Sequence, residues 1–358
     1  MMKKIAIIAL AAASLVSCAR KEMKTTTPAD DLRQRLESSL AEKKVLFGHH
    51  DDPVYGHDWR LDEGRSDVLA VTGEYPAVMS WDLGALESDS VNNLDGVPFE
   101  RMRAEVKAQD ARGGINTFSW HLWDPVTHKD SWTTTDSLIV NRMVATPEGI
   151  AAYNAQLDRL AKFFLSLTRD NGERIGVIFR PWHEHTGSWF WWGRDLCSTD
   201  DYKKLWTIMR ENFDRNGVDN VLWAYSPDRC DGAEKYMERY PGDEYVDILG
   251  ADVYHFGGEN GTETYINDAN ATLAVASAEA DARGKIAAFT ETGCESVVIP
   301  DWYTRVLLPV IQNHPVAYVT VWRNASDKPE HFYAPYPGHA AESDFKEFHN
   351  NPNTVFVK

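Results

Sequence analysis

Eight short runs of apolar, β-branched and aromatic residues recur along the chain, separated by longer stretches whose apolar positions fall three and four apart. The runs are 44–50 (KVLFGHH), 77–83 (AVMSWDL), 114–122 (GINTFSWHL), 174–184 (RIGVIFRPWHE), 220–227 (NVLWAYSP), 247–254 (DILGADVY), 285–293 (KIAAFTETG) and 316–324 (VAYVTVWRN). A nearly unbroken apolar run predicts a strand buried on both faces, as in parallel sheets. The intervening stretches predict helices. Thr146-Pro147-Glu148 supplies a capping hydroxyl, a proline at the first helical position and an acid at the positive end of the dipole. Ile150, Tyr153, Leu157, Leu160, Phe164 and Leu167 then mark one helix face. A second such stretch runs from Asp201 to Phe213. Eight strands alternating with helices predict an α/β fold with a single (β/α)8 TIM barrel. A doubly wound open sheet is the competing arrangement. It fits less well because no glycine-rich phosphate loop follows the first run.

Each run begins apolar and ends polar or aromatic: GHH, SWDL, SWHL, PWHE, YSPD, DVYH, TETG, WRN. Barrel enzymes carry their chemistry at the C-terminal ends of the strands. Glu184 ends the fourth run and Glu291 the seventh, so closure of the barrel sets them across the mouth from each other. Two carboxyl groups about 5–5.5 Å apart suit a retaining glycosidase, one as acid/base and the other as nucleophile. Their environments must differ, because one has to be protonated while the other is ionised. Either glutamate alone reads as a salt-bridge partner; the two together point to chemistry.

The formal charge of −17 excludes a nucleic-acid partner, which needs a basic stripe. Thirteen tryptophans suggest a flat ligand to stack on, with about half of them expected to fill the core. At the N-terminus a basic start, an apolar Ile5–Val16 segment and Leu15-Val16-Ser17-Cys18 resemble a bacterial lipoprotein signal. The reading is a signal peptide over 1–17, lipidation of Cys18, a polar tether over 18–30 and one catalytic domain over 31–358. Loss of Lys3 and Lys4 leaves a charge of −19. No acidic run follows Cys18, so the expected location is the outer membrane with the protein facing the periplasm rather than the cell surface. Cys197, Cys230 and Cys294 allow one disulfide at most and demand none.

The stretch 180–193 (RPWHEHTGSWFWWG) resembles the acid/base motif of glycoside hydrolase family 26, whose members are mostly β-1,4-mannanases. The stretches 72–84 (TGEYPAVMSWDLG), 113–125 (GGINTFSWHLWDP), 289–293 (FTETG) and 321–324 (VWRN) resemble the same family, so the likeness covers about Lys44 to Asn324. It implies a retaining (β/α)8 enzyme without a cofactor, with Glu184 as acid/base and Glu291 as nucleophile. It also implies His183 in place of the asparagine that precedes the acid/base in related barrels. His185-Thr186 departs from the Met-Asn of many members, which affects the leaving-group side.

By the same matching, Tyr254 would hydrogen-bond the nucleophile. His121 and His183 would contact the sugar at the cleavage point, Trp322 would lie beneath it, and Trp189 would lie under the leaving group. Arg323 would hold the next sugar outward, or form a salt bridge. Asp252, two residues before Tyr254 on the same strand face, is read as a substrate contact or a polar group of the barrel core.

The cluster His49, His50, Asp51, Asp52, His57 and Asp58 is read as polar contacts, with no metal assigned, and His183-Glu184-His185 lacks the HExxH spacing. The expected substrate is β-mannan, galactomannan or manno-oligosaccharide, cut in endo fashion by a monomer. Segments 86–98 and 124–146 are long enough to close one cleft end, which would favour mannobiose as product. The alternatives are a β-glucanase or xylanase of the same family, a non-catalytic glycan-binding lipoprotein, and a metal-dependent hydrolase.

Overall fold

The computed structural model describes residues 26–358. The expected signal peptide over 1–17, the expected lipidation site Cys18 and most of the expected tether lie outside them. Eight parallel strands follow the eight predicted runs: β1 (Val45–His50), β2 (Val78–Asp82), β3 (Ile115–Ser119), β4 (Val177–Arg180), β5 (Val221–Tyr225), β6 (Ile248–His255), β7 (Ile286–Cys294) and β8 (Tyr318–Val321). Each pairs with the next, and β1 pairs with β8 from Leu46↔Tyr318 to His49↔Val321, closing the barrel. The open-sheet alternative is therefore set aside.

The helices are α1 (Pro28–Ala41), α2 (Asp67–Thr72), α3 (Phe99–Ala111), α4 (Ile139–Ala145), α5 (Pro147–Leu165), α6 (Thr199–Arg215), α7 (Ala233–Met237), α8 (Thr262–Arg283), α9 (Leu308–Gln312) and α10 (Glu342–His349). The predicted cap at Thr146 forms, its hydroxyl accepting from Gly149 N at 3.0 Å. Helix α6 starts two residues before the expected Asp201, because Ser198 rather than a later residue caps it.

The period-two geometry of each strand separates two apolar layers. Phe47, Met79, Phe118 and Phe179 point outward under the helices. Leu46, Val78, Ile115, Ile178, Leu222, Ile248, Ile286 and Tyr318, one from each strand, point inward and pack with Leu32 and Leu36 of α1. Helix α1 thus plugs the N-terminal end of the barrel. A Cβ on Gly176, at the entry to β4, would stand 2.2 Å from the Pro28 carbonyl, so only glycine allows this approach. The plug also shortens the tether expected to reach residue 30. Thr27 and Asp30 form a capping box with Pro28 at the first position, and residues 28–30 are the first turn of α1. Near the C-terminus, Thr354–Val357 adds a short strand beside β1 that the sequence patterning did not single out.

Nine of the thirteen tryptophans are buried, more than the expected half. The other four, Trp123, Trp132, Trp189 and Trp322, are at least partly exposed. Cys197, Cys230 and Cys294 are free thiols.

Candidate active site

Glu184 stands four residues beyond β4 on a backbone with two left-handed residues, Trp182 (φ 54) and Glu184 itself (φ 53). Non-glycine residues pay for this conformation, so it persists only where neighbours impose it. Three clamps do so. Tyr202 of α6 donates to the Trp182 carbonyl at 2.9 Å, Trp192 donates to the His183 carbonyl at 2.8 Å, and Glu184 N donates to Ser226 at the end of β5 at 2.8 Å. The Trp182 ring is fully buried against Trp120, Tyr153, Trp191 and Trp192. This run of tryptophans is therefore mostly the brace that aims Glu184.

Glu291 comes from an irregular part of β7. Ala288 pairs with Gly250 but Glu291 pairs with Asp252, so one extra residue is accommodated just before the carboxylate. Such a bulge re-aims a side chain and is common beside active sites. Glu291 accepts from Tyr254 Oη at 2.5 Å and from the buried Arg180 guanidinium. Arg180 also donates to Asp252 Oδ2 at 2.6 Å. Burial and the negative charge of Glu291 push the Tyr254 phenol well above its ordinary pKa, so it remains a donor.

One oxygen each from Glu184, Asp252 and Glu291 lies within 4.8 Å of the others. The two glutamates are thus at the separation of a retaining pair and short of the roughly 6.5–9.5 Å of an inverting one. Their surroundings differ as the division of labour requires. Burial first, then the charges of Glu291, Asp252 and Asp228, raise the Glu184 pKa well above the carboxylate range. Trp189 Nε1 donates to Glu184 Oε2 at 2.6 Å and opposes that rise. A cavity of about 390 Å³ joins the two glutamates to Trp189, Tyr254 and Trp322. A larger one, about 610 Å³, shares no lining residue with it and holds no such pair.

The remaining predicted residues surround this pair. His121 bonds Asp82 at 2.7 Å; against the burial that would raise it, His121, Ser119 and Gly84 hold the Asp82 carboxyl well below the usual range. The imidazole of His183 meets that of His121 edge to face at 4.6 Å, and burial together with Arg180 keeps it neutral. Trp322 stacks on His50 at 4.1 Å. Arg323 takes the salt-bridge alternative, pairing with Asp95 of the 86–98 segment, whose carbonyl accepts from Arg60 at 2.7 Å. The expected substrate contact at Asp252 is corrected. Asp252 is fully buried, and its oxygens accept from Arg180, Ser226 and Thr290, so it is the core polar group that fixes Arg180.

Sequence reasoning left Arg180 without a role, although a charge inside the apolar run Val177–Arg180 was the signal for one. It also passed over Trp132, which stacks on His121 at 5.1 Å from within the 124–146 segment. Among the described residues, two groups have the spacing of a cation site: His50, Asp51 and Asp95, and the triad of Glu184, Asp252 and Glu291. Each already contains a guanidinium, Arg323 in the first and Arg180 in the second.

The chain matches the sequence profile of Glycosyl hydrolase family 26 over residues 24–298. It is 46% identical to a GH26 β-mannanase from Bacteroides ovatus, with a TM-score of 0.90 over 93% of this chain and 96% of that one. A modular endo-β-1,4-mannanase from Cellulomonas fimi is 32% identical, with a TM-score of 0.80 over 92% of this chain and 76% of that one. A mannan endo-1,4-β-mannosidase from Bifidobacterium adolescentis is 30% identical over 90% of this chain, which spans only 35% of that protein's length. The corresponding enzyme from Bacillus subtilis strain 168 is also 30% identical, over 60% of this chain and 59% of its own. The braced acid opposite a guanidinium-held carboxylate, the closed eight-stranded barrel and the extent of these matches lead to one assignment: the chain belongs to glycosyl hydrolase family 26.

Proposed function

We propose that this protein is a retaining endo-β-1,4-mannanase acting on mannan, galactomannan or manno-oligosaccharides. The observation that carries the reading is the pair of carboxyl groups, close enough for double displacement and set in different surroundings, Glu184 with its pKa raised by burial and Glu291 held by Tyr254 and Arg180. Glu184, kept protonated near neutral pH, gives its proton to the glycosidic oxygen. Glu291, held by Tyr254 and Arg180, attacks the anomeric carbon and forms a glycosyl-enzyme ester. Glu184, now ionised, takes a proton from water as the ester is hydrolysed. His121 and His183 contact the sugar being cleaved, Trp322 supports its apolar face, and Trp189 supports the leaving sugar. The mannan specificity rests on the names of the four relatives given above, all described as mannanases or mannan endo-1,4-β-mannosidases and each from a different bacterium.

Release of mannobiose is supported by the 86–98 segment, which Asp95 ties to Arg323 next to the Trp322 platform and to Arg60. This tie holds the loop beside Trp322 and bounds the cleft there, Arg323 acting by fixing the loop. Attachment through Cys18 to the outer membrane rests on the sequence 15–18, and the periplasmic orientation on the lack of an acidic run after it.

The test is reducing-sugar release by purified protein from mannan, galactomannan, mixed-linkage glucan and xylan, with the first anomer formed read by NMR. Expected are cleavage of the mannans with retention and accumulation of mannobiose from mannopentaose. Cleavage with inversion would overturn the double-displacement mechanism. Preference for glucan or xylan would overturn the substrate. Labelling of the protein with a fatty acid, abolished by Cys18→Ala, tests the anchor.

A further inference from the structure

The cavity that holds the two glutamates and Trp189 is also lined by residues with no part in the reaction just described: Arg229, Phe256, His331 and Tyr333. Phe256 is the unusual member. It follows β6 directly and is 74% exposed, whereas most large aromatic side chains of the chain are buried. A single exposed apolar side chain means little by itself. This one lies on the wall of the cavity that contains the nucleophile, with its ring centroid 6.3 Å from that of Tyr254.

Its backbone is locked. Gly257 (φ 81) and Gly258 (φ 56) turn the chain immediately after it, and a Cβ on Gly261 would strike the Phe256 carbonyl at 1.7 Å. His255 Nε2 bonds the Gly258 carbonyl at 2.9 Å, and Trp302 Nε1 holds His255 Nδ1 at 2.9 Å. The His255 ring stacks on Tyr265 at 5.0 Å. A backbone fixed in advance lowers the ordering cost of presenting the ring to a ligand. Polar partners flank it. His331 is set by Glu295 at 2.6 Å, and Arg229 is paired with the surface Asp268 at 3.2 Å. Arg229 also lines a second, separate cavity of about 210 Å³.

We infer that Phe256, with Arg229 and His331, forms a binding site for a second β-linked hexose on the leaving-group side, beyond the sugar that rests on Trp189. The inference deepens the proposed function and rests on it. The apolar face of the hexose lies on the Phe256 ring, and its hydroxyls meet the guanidinium and the imidazole. Phe256 does not touch the reacting atoms. It sets how strongly long substrates are held in the productive register, and so favours internal cleavage of polymers over small glycosides.

The experiment compares wild type, Phe256→Ala and Phe256→Trp on mannohexaose and on 4-nitrophenyl β-mannobioside, whose leaving group fills only the first leaving-group position. Aromatic contacts of this kind contribute about 0.5–1.5 kcal/mol beyond burial, roughly a two- to twelvefold effect. Phe256→Ala is expected to lower kcat/KM on mannohexaose by about that factor, mainly through KM, and to leave the aryl glycoside unchanged; Phe256→Trp is expected to restore mannohexaose cleavage. Equal loss on both substrates would overturn the site, because it would mean that Phe256 acts only through the fold of β6. No loss on either would also overturn it. If wild type cleaves cello- or xylo-oligosaccharides instead, the mannan reading falls and the same comparison on that hexasaccharide decides Phe256. If it cleaves none of them, both readings fall.

Discussion

At its N-terminal end the barrel is closed by hydrocarbon, Leu32 and Leu36 of α1 resting on Leu46, Val78, Ile115, Ile178, Leu222, Ile248 and Ile286. At its C-terminal end the same strands finish in Glu, Asp, His, Arg and Trp, and a shared buried network replaces the apolar contact: Arg180 between Asp252 and Glu291, His121 on Asp82, Arg323 on Asp95. Apolar contact is tolerant and stabilises in proportion to area. A buried charge costs several kcal/mol in lost hydration and is tolerated only with its partner in place. The base of the barrel can therefore carry stability while the mouth, which returns little of it, is left to hold charges at fixed distances.

The contrast is testable, beginning with the chemistry. Glu291→Gln removes the nucleophile and should lower kcat on mannan by about 10⁴-fold or more. Glu184→Gln should lower it by about 10²–10⁴-fold, less where the leaving group needs no proton. Glu184→Gln replaces a group whose charged form is already disfavoured and should retain the wild-type urea midpoint or exceed it, whereas Glu291→Gln leaves Arg180 with one carboxylate partner and should lower it. An active variant of either kind would refute the assigned roles.

Asp252→Asn leaves Arg180 with one carboxylate partner instead of two. Breaking one side of a buried pair costs about 3–5 kcal/mol, so both the unfolding midpoint and kcat/KM should fall. A loss confined to activity would mean that Asp252 meets substrate after all. Leu36→Ala tests the other end. A cavity there should cost about 2–5 kcal/mol in urea unfolding while kcat of the folded enzyme stays unchanged. A fall in kcat would show the two ends to be coupled.

The smallest effect is on pH. The Trp189 indole donates to Glu184 and favours its ionised form, lowering a pKa that burial and the neighbouring carboxylates raise. Activity should decline at alkaline pH as the Glu184 proton is lost. Trp189→Phe removes the donor, leaves the charged form less favoured and moves that alkaline limb of kcat/KM to higher pH. A shift to lower pH would contradict the direct hydrogen bond.

The barrel was legible because all eight strands are buried on both faces and so appear as apolar runs, and Glu184 and Glu291 because strand ends in a barrel are the working face. What stayed hidden depends on depth and register. Asp252 and Tyr254 share a strand face, yet Tyr254 reaches the cavity and Asp252 lies beneath it. The extra residue near Thr290 that aims Glu291 leaves no mark in the pattern FTETG. The tryptophans misled by number, because the segment after β4 needs several of them to hold two left-handed residues in place. Trp132 and Asp95 sit far along loops whose return to the mouth is a matter of tertiary packing alone.

The plugging helix has one more consequence. Because α1 closes the N-terminal end, Thr27 at its start stands at the side of the barrel opposite the glutamates. A support attached at that end would hold the protein by its heel. The open cleft then looks outward into the surrounding fluid, and a long chain could be threaded through it without the support standing in its path.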